Sequence, residues 1–209
     1  KFNQMAMQPK IGLTFGSALK TVLRQDPDVV MVGEIRDEDT ASNVVQAAMT
    51  GHLVISTIHT GEAAGAVSRM LDLGVMPFLL SGVVLGVVAQ RLVRKVCPFC
   101  AVDDYLSEEE INSLRIASAR GKRLKIKRGK GCVKCRNTGY LGRTGLFEVM
   151  QITPRIQRLI NERASTQEIK REALNDGMLT LREYGIKKIA EGLTTPEEVL
   201  ALTDEHQIY

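Results

Sequence analysis

The chain has 209 residues, 44% hydrophobic and 25% charged, with a net charge of +4; this is ordinary for a soluble globular protein of one large or two small domains, and too mildly basic to imply nucleic-acid binding by itself. Tryptophan is absent and aromatics make up 4%, so aliphatic side chains must fill the core. The longest apolar stretch, 75–89, is interrupted by Pro77, Ser81, Gly82 and Gly86 and is too short to span a bilayer, and no signal peptide is read.

Residues 1–92 read as α/β. Thr14 can cap a helix over 15–25 with Ala18, Leu19 and Val22 on its buried side, and Asp26-Pro27-Asp28 breaks it. Val29-Val30-Met31-Val32 is a short unbroken apolar run, expected as a strand buried on both faces and ended by Gly33. A helix fits 39–50 with Gly51 as its stop, then a second buried strand over 52–57, then a helix over 62–73 stopped by Gly74. Pro77 opens a helix expected to run to 91. Strands alternating with helices predict crossovers and a parallel sheet.

Composition changes at Lys95, and a second range, 93–150, holds all four cysteines. A helix is expected over 108–119, with Ser107 and Glu110 forming a capping box. A third range, 151–209, reads as helical after Thr153-Pro154. Its starts are marked by Ser165 with Glu168, Thr180 with Glu183, and Thr195 with Glu198 behind Pro196, and its stops by Gly177 and Gly192.

The cysteines fall in two matching pairs, Cys97-Pro98-Phe99-Cys100 and Cys132-Val133-Lys134-Cys135. Two residues between thiols let a tight knuckle present both to one ion, and two knuckles complete a tetrahedral structural zinc site with no open position for chemistry. Two disulfides or scattered free thiols are the plainer alternatives. Reduced, paired cysteines point to a reducing compartment such as the cytoplasm. Between the pairs lies a basic run, Arg120, Lys122, Arg123, Lys125, Lys127, Arg128 and Lys130. It could contact anionic lipid, or be a solvated strand, since Leu124-Lys125-Ile126-Lys127 alternates apolar and charged.

Glu34 follows the first strand and its Gly33, where ligands sit in open parallel sheets. An acid there can help hold magnesium and polarise an attacking water, and His59, past the next strand, can face a γ-phosphate. Taken singly, Glu34 is as well read as a capping or surface carboxylate and His59 as a structural histidine.

Together these residues resemble a family. Thr14-Phe15-Gly16-Ser17-Ala18-Leu19 and Leu23-Arg24-Gln25-Asp26-Pro27-Asp28 look like its run before the Walker B strand, and Gly33-Glu34-Ile35-Arg36-Asp37 like the Walker B end. Thr50-Gly51-His52-Leu53-Val54-Ile55-Ser56-Thr57-Ile58-His59-Thr60 looks like its histidine box, and Ala89-Gln90-Arg91-Leu92-Val93 leads into the cysteine knuckles as it does there. The resemblance, over about 9–203, is to the bacterial ATPases of type II secretion and type IV pilus assembly. It implies a partial RecA-like sheet in 1–92, then a tetracysteine zinc subdomain in 93–150 and a helical subdomain in 151–209. It also implies Glu34 as the catalytic acid, with Gly33, Glu34 and His59 at nucleotide and magnesium, and structural or coupling roles for Arg36, Asp37 and His52. Zinc on Cys97, Cys100, Cys132 and Cys135 argues against the pilus-retraction members. A homo-hexamer is implied, working in the cytoplasm at the inner membrane with platform and adaptor proteins.

The sequence departs from the family in containing no G-x-x-x-x-G-K-[ST] phosphate loop and no acidic Asp box. The chain is therefore expected to begin inside the ATPase domain and to hydrolyse little ATP alone; without its first strand the sheet is expected to have an unprotected side that favours association. Two other functions compete: a zinc-stabilised module that docks a membrane platform protein without catalysis, and a zinc-ribbon nucleic-acid binder, for which the scarcity of aromatics gives little support.

Overall fold

A computed structural model describes residues 3–116 and 123–203. In chain order the elements are α1 (Phe15–Val22), β1 (Val29–Val32), α2 (Glu38–Met49), β2 (Leu53–Ser56), α3 (Ala63–Asp72), α4 (Pro77–Val83), β3 (Gly86–Val96), β4 (Ala101–Tyr105), α5 (Glu108–Ser113), β5 (Lys125–Gly129), β6 (Tyr140–Gln151), α6 (Pro154–Asn161), α7 (Thr166–Asn175), α8 (Leu181–Ala190) and α9 (Pro196–Thr203). The fold is α/β, with three two-stranded pairs: β1 with β2, parallel; β4 with β5, antiparallel; and β3 with β6. Among the described residues no helix is long and apolar enough to cross a membrane.

The chain forms two compact units, Lys1–Val87 with Met150–Asp176, and Val88–Val149 with Gly177–Tyr209. This partition differs from the ranges 1–92, 93–150 and 151–209 read from sequence, because α6 and α7 fall in the first unit and α8 and α9 in the second.

In the first unit, capping chemistry fixes the helix starts. Thr14 and Ser17 exchange side-chain and backbone hydrogen bonds at α1, and Asp37 accepts from the Thr40 N–H at 2.8 Å to start α2. Gly51 and Gly74 take positive φ just beyond α2 and α3, as expected of helix stops. The strand β1 forms where expected, in register Val29 to Leu53 and Met31 to Ile55. Its burial does not follow the expectation of two covered faces: Val30 and Val32 are buried, but Met31 is 71% exposed, and Val29, Leu53 and Ile55 beside it are exposed too. A run of four apolar residues cannot reveal which face receives a cover, and in this two-stranded pair one face has none among the described residues. Lower in the unit, α4 packs on α6 and α3 on α7, with Leu80, Ile156, Ile160 and Ile169 nearly inaccessible. The expected helix over 77–91 ends at Val83, and the chain then turns into β3. Gly82 and Gly86 interrupt it, and the β-branched Val83, Val84, Val87 and Val88 favour an extended backbone.

The second unit packs around Val93, Leu106, Ile111, Leu114, Ile126, Leu146, Leu181, Ile189 and Val199. Phe147 meets Tyr184 edge-on at 5.8 Å. The capping boxes at Ser107, Ser165 and Thr180 all form, the second of these in the first unit. At Thr195, Glu198 instead turns to Arg94, accepting from its N–H at 2.9 Å and from its guanidinium at 2.6 Å. The helix expected over 108–119 stops after Ser113, where Arg115 adopts φ 59°; 117–119 lie outside the described residues.

Candidate functional site

Two constellations gather the residues singled out by sequence. In the first, β1 and β2 run side by side and their carboxyl ends are locked together. Ser56 donates to the Val32 carbonyl at 2.8 Å, Thr57 Oγ1 to the Gly33 carbonyl at 2.7 Å, and the Ile35 N–H to the Thr57 carbonyl at 2.9 Å. This lock places Glu34 and His59 on one rim, with His59 Nε2 at 3.4 Å from Glu34 Oε2. The Glu34 side chain is 26% exposed and the His59 side chain 80% exposed. Arg36 Nε stands 2.8 Å from the same carboxylate oxygen, so Glu34 is oriented from two sides. Asp37 looks away to cap α2. A Cβ on Gly33 would meet only the Phe15 ring at 3.5 Å, an ordinary contact, whereas one on Gly16 would stand 2.0 Å from Asp39 Oδ2.

His52 is not on this rim. It precedes β2, while His59 follows that strand's other end. Its Nδ1 lies 3.0 Å from the Ala47 carbonyl and 3.1 Å from Thr50 Oγ1. Because a carbonyl can only accept, Nδ1 carries the proton, and the ring closes the turn between α2 and β2.

The second constellation is the four cysteines. All are free thiols, and their sulfur atoms lie within 4.8 Å of one another. The closest pairs are Cys132 with Cys135 at 3.7 Å, Cys97 with Cys132 at 3.9 Å and Cys100 with Cys135 at 3.9 Å. A tetrahedral zinc with sulfur ligands at about 2.3 Å needs sulfur separations of about 3.8 Å, so the donor set fits that ion in number, chemistry and size. Burial pushes the Cys135 thiol up, but N–H groups of Cys132 and Gly139 and the neighbouring thiols outweigh it and bring Cys135 down to about 6. Burial and the other three thiols push Cys100 up to about 12, against a lowering contact from the Gly131 backbone. The chain entering and leaving the second knuckle approaches itself closely at Gly129 and Gly139: a Cβ on Gly129 would fall 2.0 Å from the Gly139 carbonyl oxygen. Spacing of cysteines alone could not have flagged these glycines; they are needed because backbone meets backbone.

Three members of the basic run, Lys125, Lys127 and Arg128, pair with acids. Lys125 and Lys127 reach Asp103 at 2.8 and 3.8 Å, and Arg123 lies 4.3 Å over the Tyr105 ring. Arg128 joins Asp104 at 2.7 Å and also Glu110 and Glu197. Sequence reading missed this three-acid clasp, since its acids come from β4, α5 and α9. The strand alternative for this run holds: β5 spans Lys125–Gly129 with Ile126 buried. Arg120 and Lys122 lie outside the described residues.

The family described as Type II/IV secretion system protein matches residues 1–201. The chain is 46% identical over 203 residues to the Type IV pilus assembly ATPase PilB of Thermus thermophilus, a match over 97% of this chain and 23% of that protein. It is 46% identical over 202 residues to the Type II secretion system protein E of Pseudomonas aeruginosa, over 97% of this chain and 40% of that protein. Among solved structures, the pilus retraction motor PilT with bound ADP superposes with a TM-score of 0.63 at 25% identity, over 92% of this chain and 44% of that one. The chain thus spans less than half the length of each of these relatives.

Proposed function

This chain belongs to the Type II/IV secretion system protein family, and from that premise we propose that it is part of an ATP-hydrolysing motor that drives pilus or pseudopilus assembly in protein secretion. The observation that carries the reading is the shared rim, where Glu34 and His59 meet at 3.4 Å beyond the ends of paired parallel strands. That is where ligands of open parallel sheets collect.

Magnesium, bound with ATP, would neutralise charge on the transferred phosphoryl group. Glu34 would help hold the metal and would accept a hydrogen bond from the attacking water. Arg36 holds that carboxylate in position from 2.8 Å. His59, open to solvent, contacts the γ-phosphate side of the bound nucleotide, with Gly33 leaving the backbone accessible beside it. Asp37 and His52 serve the frame, through the α2 cap and the turn before β2. The four thiols of Cys97, Cys100, Cys132 and Cys135 hold a structural zinc. The motor works as a homo-hexamer in the cytoplasm, peripheral to the inner membrane, against platform and adaptor proteins. Because the 209 residues contain no G-x-x-x-x-G-K-[ST] segment, the chain alone hydrolyses little ATP.

The test is Glu34→Gln in the full-length ATPase. Turnover should fall by about 100-fold or more while nucleotide binding and the circular dichroism spectrum stay unchanged. Turnover near the parent's would remove Glu34 from the mechanism and leave the non-catalytic docking module as the better reading.

A further inference from the structure

Arg36 is followed in sequence by three acids, Asp37, Glu38 and Asp39, and none of them neutralises it. Asp37 accepts from the Thr40 N–H, and Asp39 Oδ1 accepts from the Asn43 side-chain amide at 3.1 Å. Glu38 lies against Gly74, whose added Cβ would stand 3.1 Å from Glu38 Oε1. The ion pair that Arg36 does make is with Glu34, through Nε at 2.8 Å. Ile35, between the two, is buried, and its N–H donates to the carbonyl of Thr57, just past β2. The short segment that carries both side chains is therefore fixed to the neighbouring strand.

That single contact uses little of what an arginine offers, since a guanidinium carries five N–H donors. Among the described residues the Arg36 guanidinium makes no other ion pair or hydrogen bond, and its side chain is 70% exposed. Both terminal nitrogens are thus without a protein partner there, on a group whose place is already set by Nε. His59 Nε2 approaches the same oxygen, Glu34 Oε2, at 3.4 Å. One carboxylate oxygen is shared by two nitrogen groups, of which the guanidinium is permanently charged.

We propose that Arg36 touches the substrate: with Nε on Glu34, its terminal nitrogens bind oxygens of the terminal phosphate of a nucleoside triphosphate. This rests on the reading of Glu34 as the group that accepts from the attacking water. That water must lie between Glu34 and the terminal phosphorus, so a guanidinium in contact with Glu34 stands nearest the terminal phosphate and not the inner two. The planar fork matches phosphate oxygens as well as it matches a carboxylate, and separate N–H groups can serve both at once. A lysine offers one nitrogen on a flexible stem and cannot hold both partners in that geometry. Arg36 is thereby the residue that tells a triphosphate from a diphosphate.

The test is titration of the full-length ATPase with two fluorescent nucleotides, ADP and the non-hydrolysable imido analogue of ATP. Arg36→Gln should weaken the analogue about tenfold and leave ADP at the parental affinity, because one charge-assisted contact to the third phosphate is lost. Arg36→Lys should recover only part of that loss. Because Arg36 is exposed, both variants should keep the parent's far-ultraviolet spectrum and denaturation midpoint. An unmoved ratio of the two affinities in Arg36→Gln overturns the proposal and leaves Arg36 as a positioning residue for Glu34 alone. Equal weakening of both nucleotides overturns it too, and would assign the guanidinium to the inner phosphates or to the frame. Failure of the underlying reading shows elsewhere: Glu34→Gln would keep its turnover, or the parent would bind neither nucleotide, and the proposal would fall with it.

Discussion

In the first unit the groups with chemical potential stand open. His59 is mostly in solvent, Glu34 is anchored by one arginine and one imidazole, and the face of β1 and β2 carrying Val29, Met31, Leu53 and Ile55 is bare among the described residues. In the second unit charged groups close on one another. Arg128 is clasped by Asp104, Glu110 and Glu197, Arg94 is held by Glu198 and lies 4.2 Å over the Tyr140 ring, and four thiols share one centre. Groups left open keep their hydrogen-bonding capacity for something that arrives; groups that are mutually satisfied hold backbone segments in place. On the proposed reading the first unit holds the working edge, while the second adds to its apolar core polar links that pull distant stretches of chain together.

The largest effect should come from removing metal. Structural zinc on four thiolates contributes an apparent stability of about 10–16 kcal/mol in small domains at neutral pH. Chelation followed by amide hydrogen exchange should therefore erase protection in β4, β5 and the start of β6, while β1, α2 and β2 keep theirs. Equal loss in both units would break the comparison, and full protection in both would mean the cysteines form no metal centre.

Next is the Arg128 clasp. Arg128→Met removes the one cation facing three carboxylates and should cost about 1–3 kcal/mol, between the values for exposed and buried ion pairs, measured by urea denaturation. The pH dependence has the same origin. Lys125 holds Asp103 below the ordinary carboxylate range. Burial pushes Glu197 and Glu198 up, but Thr195 and Arg128 on the one, and Arg94 on the other, bring both below their ordinary values. Carboxyls with folded values below their unfolded ones contribute stability that is fully present above the unfolded value of about 4.3. That stability is lost as pH falls through the lower folded values. Acid titration should thus loosen the second unit below about pH 4, and Arg128→Met should flatten that dependence.

Much of this was legible in the sequence, and the reasons differ by element. The helix starts were readable at Ser107, Ser165 and Thr180 because a capping box is a local exchange of two hydrogen bonds three residues apart, and at Thr14 as a cap, whose box partner Ser17 was not read. The cysteine cluster was readable because ligand spacing is local within each knuckle. The strand β3 was not, since a short apolar run has no period that separates strand from buried helix, and β6, with Gly142 and Gly145 inside it, has weak alternation. The meeting of Glu34 with His59 followed from two strand ends and a structural role for Arg36 was expected beside them, but the Ser56 and Thr57 locks needed the pairing itself. Pairing within the basic run was least legible, because Lys125 and Arg128 find acids on β4, α5 and α9, far away in the chain.

The smallest effect sharpens the comparison from the other side, by asking what a single polar link is worth in the first unit. Glu168 accepts from the Ser165 N–H at 2.9 Å and its hydroxyl at 2.7 Å, and both contacts, the side-chain one foremost, hold its carboxyl below the ordinary range. The helix it starts, α7, packs on α3 and buries Ile169 and Ala173. Glu168→Ala removes the returning half of the box and should cost about 0.5–1 kcal/mol, read as a small shift in the denaturation midpoint with an unchanged slope. Glu168→Gln keeps an acceptor for the Ser165 N–H but not the charge, so it should recover part of the loss at neutral pH. As pH falls through the lowered folded value the parent is itself protonated at this position, and parent and Gln variant should converge. If Glu168→Ala instead cost as much as Arg128→Met, local caps would hold the first unit as firmly as the clasp holds the second, and the division between an open edge and a cross-linked frame would be lost.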